Sequence, residues 1–292
     1  MKRQKNYLVE NGYIPLDKSW VIRMGVLDLL NGYKDAIWFL KQQKQLGDDL
    51  KALLRVLLTW ESDETINVGE SATLYRFLRF ASWKLGLRKK FIFCGSLRKR
   101  KICDDSEIVN WSLAELLKLD NGTSQWASAA ILLGNQEEVT NPPYKLQLTY
   151  EAVEHWKQQR IRSRNWIPRY DETILTQATA YLGLLFKEKV VFIPRQAEDY
   201  CFARVFGFIT RKEGESRWPS LHGHESDRIT EIEKALCENE RGIKISSEDH
   251  RVVQAIAMHQ NILNRLIKVQ HPSVVKKSWP QFWKFLKDSK KT

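Results

Sequence analysis

The stretch Thr173–Ile193, TILTQATAYLGLLFKEKVVFI, decides the fold class. Its first fourteen residues carry apolar side chains at helical spacing, which predicts a helix over Thr173–Phe186. Its last five, Lys189–Ile193, form a short β-branched and aromatic run of strand length. The same alternation continues in both directions. Helical patterns fall on Asp35–Leu46, Thr73–Leu85, Ser124–Leu133, Thr149–Gln159, Tyr200–Ile209, Asp227–Asn239, Arg251–Ile262 and Pro280–Lys287. Short apolar runs fall on Leu53–Thr59, Lys90–Cys94, Lys145–Leu148, Ile243–Ile245 and Leu266–Val269. Helical segments of ten or more residues alternating with strands of four to eight predict an α/β protein built in layers.

The chain has 292 residues, enough for two domains. It is 43% hydrophobic and 28% charged, an ordinary globular balance rather than a disordered one. The net charge of +12 points to an anionic partner: nucleic acid, an anionic membrane surface, small anionic substrates, or simply a solvated basic surface. Cys94, Cys103, Cys201 and Cys237 form no CxxC pair, which predicts reduced thiols, a cytoplasmic protein and no zinc site. The N-terminal MKRQKNYLVENGYIPL lacks the apolar core of a leader, and no run approaches 18 apolar residues, so no membrane span is expected.

Several polar clusters stand at helix starts. Lys18 and Arg23 flank the opening of an apolar helix, where acidic residues are the usual choice. They suit a bound anion or an ordinary surface pair. The clusters Gly69–Thr73, Asn121–Gln125 and Lys276–Pro280 offer capping hydroxyls, and free amides that also suit an anion. A basic loop, Gly95–Lys101, follows the run Lys90–Cys94 and fits either a phosphate site or an RNA-binding patch. Glu225 and Arg228 share a helix face at i, i+3, as a structural pair or as a carboxylate held beside an arginine.

Taken in order, these motifs resemble those of the enolpyruvyl transferases, most closely the 5-enolpyruvylshikimate-3-phosphate (EPSP) synthases. The matching segments are Lys18-Ser19 with Arg23, Gly69-Glu70-Ser71-Ala72-Thr73-Leu74-Tyr75-Arg76, Gly95 with Arg98, Asp120-Asn121-Gly122-Thr123-Ser124-Gln125 and Pro142-Pro143-Tyr144. They continue in His224-Glu225-Ser226-Asp227-Arg228, Asp249-His250-Arg251 and Lys276-Lys277-Ser278-Trp279-Pro280-Gln281-Phe282-Trp283. The resemblance runs from Ile14 to Phe285.

The resemblance implies two domains of repeated βαβαββ units, the inside-out α/β barrel of that family. The N-terminal domain would be 18–163 and the C-terminal domain 1–17 plus 164–292. Only 28 residues separate Asp171 from Asp199, so the second domain is expected to be trimmed. The implied activity moves the enolpyruvyl group of phosphoenolpyruvate to the 5-hydroxyl of shikimate-3-phosphate, releasing phosphate, a step of aromatic amino acid biosynthesis. No cofactor and no metal would be needed, and the enzyme would be a monomer that binds neither membrane nor nucleic acid.

Residue by residue, the resemblance implies Lys18, Asp199 and Glu225 as catalytic groups, with Glu198 the alternative to Asp199. Phosphoenolpyruvate would meet Lys18, Ala72, Arg98, Gln125, Arg228, Arg251 and Lys277, the arginines Arg228 and Arg251 taking its carboxylate. The acceptor would meet Ser19, Arg23, Thr123, Ser124, Tyr144 and Asp199. Ala72 stands where the family usually has glycine, a change associated there with glyphosate tolerance. Forked guanidinium groups suit both a carboxylate and a phosphate, which is the independent chemical reason for arginines in such a set.

Overall fold

A computed structural model describes residues 2–134, 143–162, 166, 169–223 and 227–290. The chain packs as two compact units, Leu16–Arg169 and Met1–Pro15 with Tyr170–Thr292. In chain order the helices begin with α1 (Lys2–Glu10), which belongs to the second of these. The unit Leu16–Arg169 follows with α2 (Lys18–Leu30), α3 (Asp35–Lys41), α4 (Asp48–Thr59), β1 (Thr65–Gly69), α5 (Ala72–Lys84) and β2 (Lys90–Phe93). It continues with the short turns α6 (Leu113–Leu116) and α7 (Leu119–Gly122), then α8 (Gln125–Leu132) and α9 (Tyr144–Arg162). The remainder carries α10 (Glu172–Leu185), α11 (Tyr200–Val205), α12 (Arg211–Arg217), α13 (Arg228–Glu240), α14 (His250–Ile262) and α15 (Phe282–Asp288). This is a mixed α/β chain, mostly helical.

In the unit Leu16–Arg169 the central helices are buried on nearly all sides. Every residue of α2 from Trp20 to Asp28 is buried, as is every residue of α8 from Trp126 to Leu132. A helix that is apolar all round belongs inside a fold, not on its surface. Helix α5 packs on both of them. The Asp17 carboxylate starts α2 by accepting the Trp20 N–H at 3.0 Å, an ordinary aspartate cap. Strands β1 and β2 pair in parallel across the connecting α5, with Thr65 opposite Lys90 and Ile66 opposite Phe91. A bulge lies between Asn67 and Gly69, where Gly69 takes φ 60°. Ile66 and Val68 face inward, and Tyr75 of α5 meets Phe91 and Phe93 edge-on.

The other unit has the same logic. Helices α10, α11 and α14 carry most of its core, and eleven of the thirteen residues of α14 are buried. Asp171 caps α10 through the Ile174 N–H, as Asp17 caps α2. Six residues after each cap stands a buried polar side chain, Arg23 in α2 and Gln177 in α10. Helix α14 is flanked by a parallel bridge, Ile245 with Val269, the counterpart of β1 and β2 around α5. Trp279 is fully buried against Phe285, and its indole N–H donates to the Tyr13 carbonyl at 2.7 Å. Asp171 N–H donates to the Pro15 carbonyl at 3.0 Å. These contacts fasten the first fifteen residues to the C-terminal half.

The packing divides the chain at Pro15/Leu16 and Arg169/Tyr170, against the expected 17/18 and 163/164. Arg169 stays with the first unit because its guanidinium lies over Trp20, 4.6 Å from the ring centre, and its carbonyl accepts the Asp17 N–H.

Five expected strands are corrected. Leu53–Thr59 lies inside α4, where Leu50, Leu53, Val56 and Leu57 face the core and Lys51, Arg55 and Leu58 face out. That is a helical period, which length alone concealed. Lys145–Leu148 is the first turn of α9. Ile243–Ile245 and Leu266–Val269 contribute only the single bridge at Ile245 and Val269. Lys189–Ile193 alternates as a strand does, with Phe192 buried and Val191 and Ile193 exposed, but no ladder partner is found for it among the described residues. No helix of the described residues is long and apolar enough to cross a membrane.

Candidate active site

In the C-terminal unit the buried charges Asp199, Arg228, Asp249 and Arg251 gather at the starts of α11, α13 and α14. Asp249 caps α14: its Oδ1 accepts the Arg251 N–H at 2.8 Å, and its Oδ2 accepts from Arg228 Nε at 2.9 Å. Arg228 is the first residue of α13, so one carboxylate ties two helix starts together. Asp199 sits in the 3-10 turn before α11. Its Oδ2 accepts the Arg195 and Gln196 N–H groups at 3.0 and 3.3 Å, and its Oδ1 accepts Gln177 Nε2 at 3.1 Å. Burial pushes the Asp199 carboxyl above its ordinary pKa, against the hydrogen bonds from Arg195, Gln177 and Gln196 and the charge of Arg251. Burial likewise raises the Cys201 thiol to about 12, with the Asp249 charge adding to it and Arg228 and Arg251 opposing.

Arg251 is the distinctive member. It is 6% exposed, on the first turn of α14. Its Nη1 donates to Gln177 Oε1 over a long 3.4 Å, and its buried Nε has no acceptor. Among the described residues no carboxylate lies within 4.0 Å of its guanidinium. A buried guanidinium with unfilled donors is costly unless an anion completes it. An anionic group there would gain charge-assisted bonds in a region of low dielectric.

The N-terminal unit holds the other candidates. Lys18 opens α2 and pairs with Asp49 at 2.9 Å. Arg23 is 5% exposed and, among the described residues, donates to neutral oxygens: Thr149 Oγ1 at 2.8 Å, the Ser19 carbonyl at 2.8 Å and Ser128 Oγ at 3.5 Å. Desolvation pulls its pKa down to about 10, with Asp17 opposing. Ala72 begins α5 after Ser71, whose hydroxyl is buried, caps nothing and has no partner. Gln125, at the start of α8, donates to Thr73 Oγ1 at 2.8 Å and accepts Arg76 Nη1 at 2.6 Å. So α5 and α8 begin side by side. Thr123 Oγ1 accepts the Gln125 N–H at 3.4 Å, and Ser124 is the cap residue of α8 without a side-chain cap bond.

Three further candidates are Tyr144, Arg98 and Lys277. Tyr144 is 80% exposed at the start of α9. Arg98 is exposed in a 3-10 turn, where its Nε donates to the Phe93 carbonyl at 3.1 Å. Lys277 closes the 3-10 turn Pro272–Lys277 and is half-buried. Glu225, with His224, Ser226 and Pro142 of the neighbouring motifs, lies outside the described residues. Glu198, the alternative base, is exposed and contributes its backbone carbonyl to Gln177. The structure thus joins Asp199 and Arg251 through Gln177, and Arg228 and Arg251 through Asp249. It also joins Gln125 to Thr73 and Arg76. Sequence reasoning assigned no role to Gln177, Arg76 or Asp249; the signal for Gln177 was its six-residue distance from a capping aspartate, equal to that of Arg23.

Gly95 tests the geometry of the basic loop. It holds φ 54°, and a Cβ there would come within 2.0 Å of Glu70 Oε1. Because the Glu70 side chain can swing away, the left-handed backbone sets the cost, and Gly95→Ala is expected to lose about 1–2 kcal/mol in urea unfolding. A variant as stable as the parent would refute this loop conformation.

Among the described residues no cluster of three or more histidine, cysteine, aspartate or glutamate side chains is placed to hold a metal. Comparison with known proteins gives no match: no family model, no curated protein and no solved structure matches the chain.

Proposed function

We propose that the chain is an enolpyruvyl transferase that moves the enolpyruvyl group of phosphoenolpyruvate to the 5-hydroxyl of shikimate-3-phosphate, with release of phosphate. The observation that carries this reading is Arg251, a buried guanidinium with an unfilled donor, whose backbone N–H meets the Asp249 carboxylate that also holds the Arg228 guanidinium. Together the two arginines suit the donor's carboxylate. Asp199, dehydrated and held by three hydrogen bonds, takes the proton of the attacking hydroxyl in this reading. Glu225 exchanges the proton at the methylene carbon, and Lys277 contacts the phosphate that leaves. The family's repeated βαβαββ plan belongs to the same proposal. Buried central helices, with one parallel strand pair beside α5 and a single parallel bridge beside α14, support it, and the trimming of the C-terminal unit is part of the proposal.

Phosphate release from phosphoenolpyruvate and shikimate-3-phosphate tests the reading; no release, together with no calorimetric binding of either compound, would overturn it. Each nitrogen of Arg23 is already bonded to a protein oxygen, and Tyr144 is exposed. Both observations favour a second reading, a transferase with the same donor and another acceptor, which phosphoenolpyruvate binding without turnover on shikimate-3-phosphate would select.

The raised pKa of Asp199 gives the reaction a pH signature. A base must be ionised, so turnover falls as pH drops through that raised value, placing the acid limb above about 4, the ordinary aspartate value. The stability linkage has the opposite consequence. The folded chain keeps this proton where the unfolded chain has lost it, so the group's contribution to stability declines as pH rises through the same window. An acid limb at or below the ordinary carboxylate value would remove Asp199 from the base role.

A further inference from the structure

Gln177 is fully buried in the middle of α10, on the same helix as the buried Ile174, Ala178 and Tyr181. A buried amide is tolerated only where its hydrogen bonds are made. Its Nε2 donates to Asp199 Oδ1 at 3.1 Å and to the Glu198 carbonyl at 3.3 Å, and its Oε1 accepts Arg251 Nη1 at 3.4 Å. One end therefore faces a carboxylate and the other a guanidinium. An amide can serve both, since it presents donors on nitrogen and an acceptor on oxygen. A carboxylate in its place would repel Asp199, and an ammonium would repel Arg251.

We propose that Gln177 is a positioning residue, whose amide fixes the Asp199 carboxylate at a set distance and orientation from the Arg251 guanidinium. This rests on the transferase reading, in which Asp199 accepts a proton and Arg251 grips the donor. Gln177 touches neither substrate in this scheme. It acts by holding base and clamp in one frame, where a displacement of an ångström is enough to slow a reaction severely. The charged group facing Asp199 from α14 is Arg251; its own loop supplies only the backbone N–H groups of Arg195 and Gln196. Arg228 and Asp249 form the next pair, with Cys201 between the two sets.

The test is a carbon-13 carboxylate titration of the full chain, with Asp199→Asn identifying the Asp199 signal, in the parent and in Gln177→Met. Methionine keeps the length and flexibility of the side chain and removes both polar ends. Losing a donor to the ionised form is expected to raise the Asp199 midpoint by about 0.5–1 pH unit. The acid limb of kcat should move up by the same amount, while KM for phosphoenolpyruvate changes less than about threefold. An unchanged midpoint in the folded variant overturns the proposal. Should Gln177→Met not fold, Gln177→Glu is the second variant; its added carboxylate is expected to raise the midpoint further, and no rise again overturns it. If the parent shows no turnover, the transferase reading fails on its own, and the titration still decides the role of Gln177.

Discussion

Asp120→Ala is expected to destabilise the chain by about 4 kcal/mol in urea unfolding, since breaking a buried ion pair from one side costs about 3–5 kcal/mol. Asp120 accepts Arg76 Nε at 2.7 Å, Trp126 Nε1 at 2.9 Å and the Cys103 N–H at 2.9 Å. Both partners of the ion pair have side chains only 7% exposed. Alanine would leave a buried guanidinium with Gln125 as its remaining hydrogen-bond acceptor, and two further donors with none. It would also sit at φ 47°, in the left-handed region, where aspartate and asparagine are tolerated better than alanine. Asp120→Asn keeps that backbone tolerance and one oxygen for Arg76, so its expected loss is smaller, about 2 kcal/mol. A loss below about 1 kcal/mol for Asp120→Ala would show that the network is not a stabilising one. The same variant should loosen Gln125, because Arg76 is what holds its amide oxygen. Three consecutive left-handed residues, Asp120, Asn121 and Gly122, make the turn that delivers Thr123, Ser124 and Gln125 to the start of α8. Strain of this kind persists only where surrounding bonds over-determine it, and the three bonds to Asp120 do so.

Much of the helical skeleton was legible because its signals are local. The apolar periodicity carried the helices, but the caps are Asp17, Asp171, Asp227 and Asp249, which the sequence did not single out as caps, whereas the expected Ser71 and Ser124 make no side-chain cap bond. Strand pairing was not legible, because it depends on partners far away in sequence. Lys189–Ile193 has the composition of a strand, yet composition does not supply a neighbour. In Leu53–Thr59 the error was one of window. Begun at Asp48, the pattern reads as a helix with Leu50, Leu53 and Leu57 on one face. The site divides along the same line. Arg251 and Arg228 were legible through the motifs that carry the resemblance, Arg228 also as the i, i+3 partner of Glu225. Gln177 did not, because a glutamine within a helical pattern reads as an exposed position until packing places it against Asp199. Arg23 shows the converse: its place in the motif was readable, but its three neutral oxygen partners come from residues as distant as Ser128 and Thr149.

Removing Arg251 should have the largest functional effect. Arg251→Ala is expected to raise the phosphoenolpyruvate KM by about 100-fold, since losing one or two charged hydrogen bonds costs about 3 kcal/mol and each 1.4 kcal/mol is a factor of ten. Arg251→Lys keeps the charge but loses the fork, so an intermediate rise of about tenfold is expected. Folding should be spared, because the guanidinium's bond to Gln177 is long and, among the described residues, its Nε has no acceptor. This separates Arg251 from Arg228, whose Nε is bonded to Asp249 at 2.9 Å and whose loss leaves a buried carboxylate one partner short. The charge of Arg251 also lowers the Asp199 pKa, so its removal should shift the acid limb of turnover upward as KM rises. A structural arginine would give the reverse pattern, a large drop in unfolding stability with KM unchanged within about threefold, and that result would take the carboxylate clamp out of the mechanism.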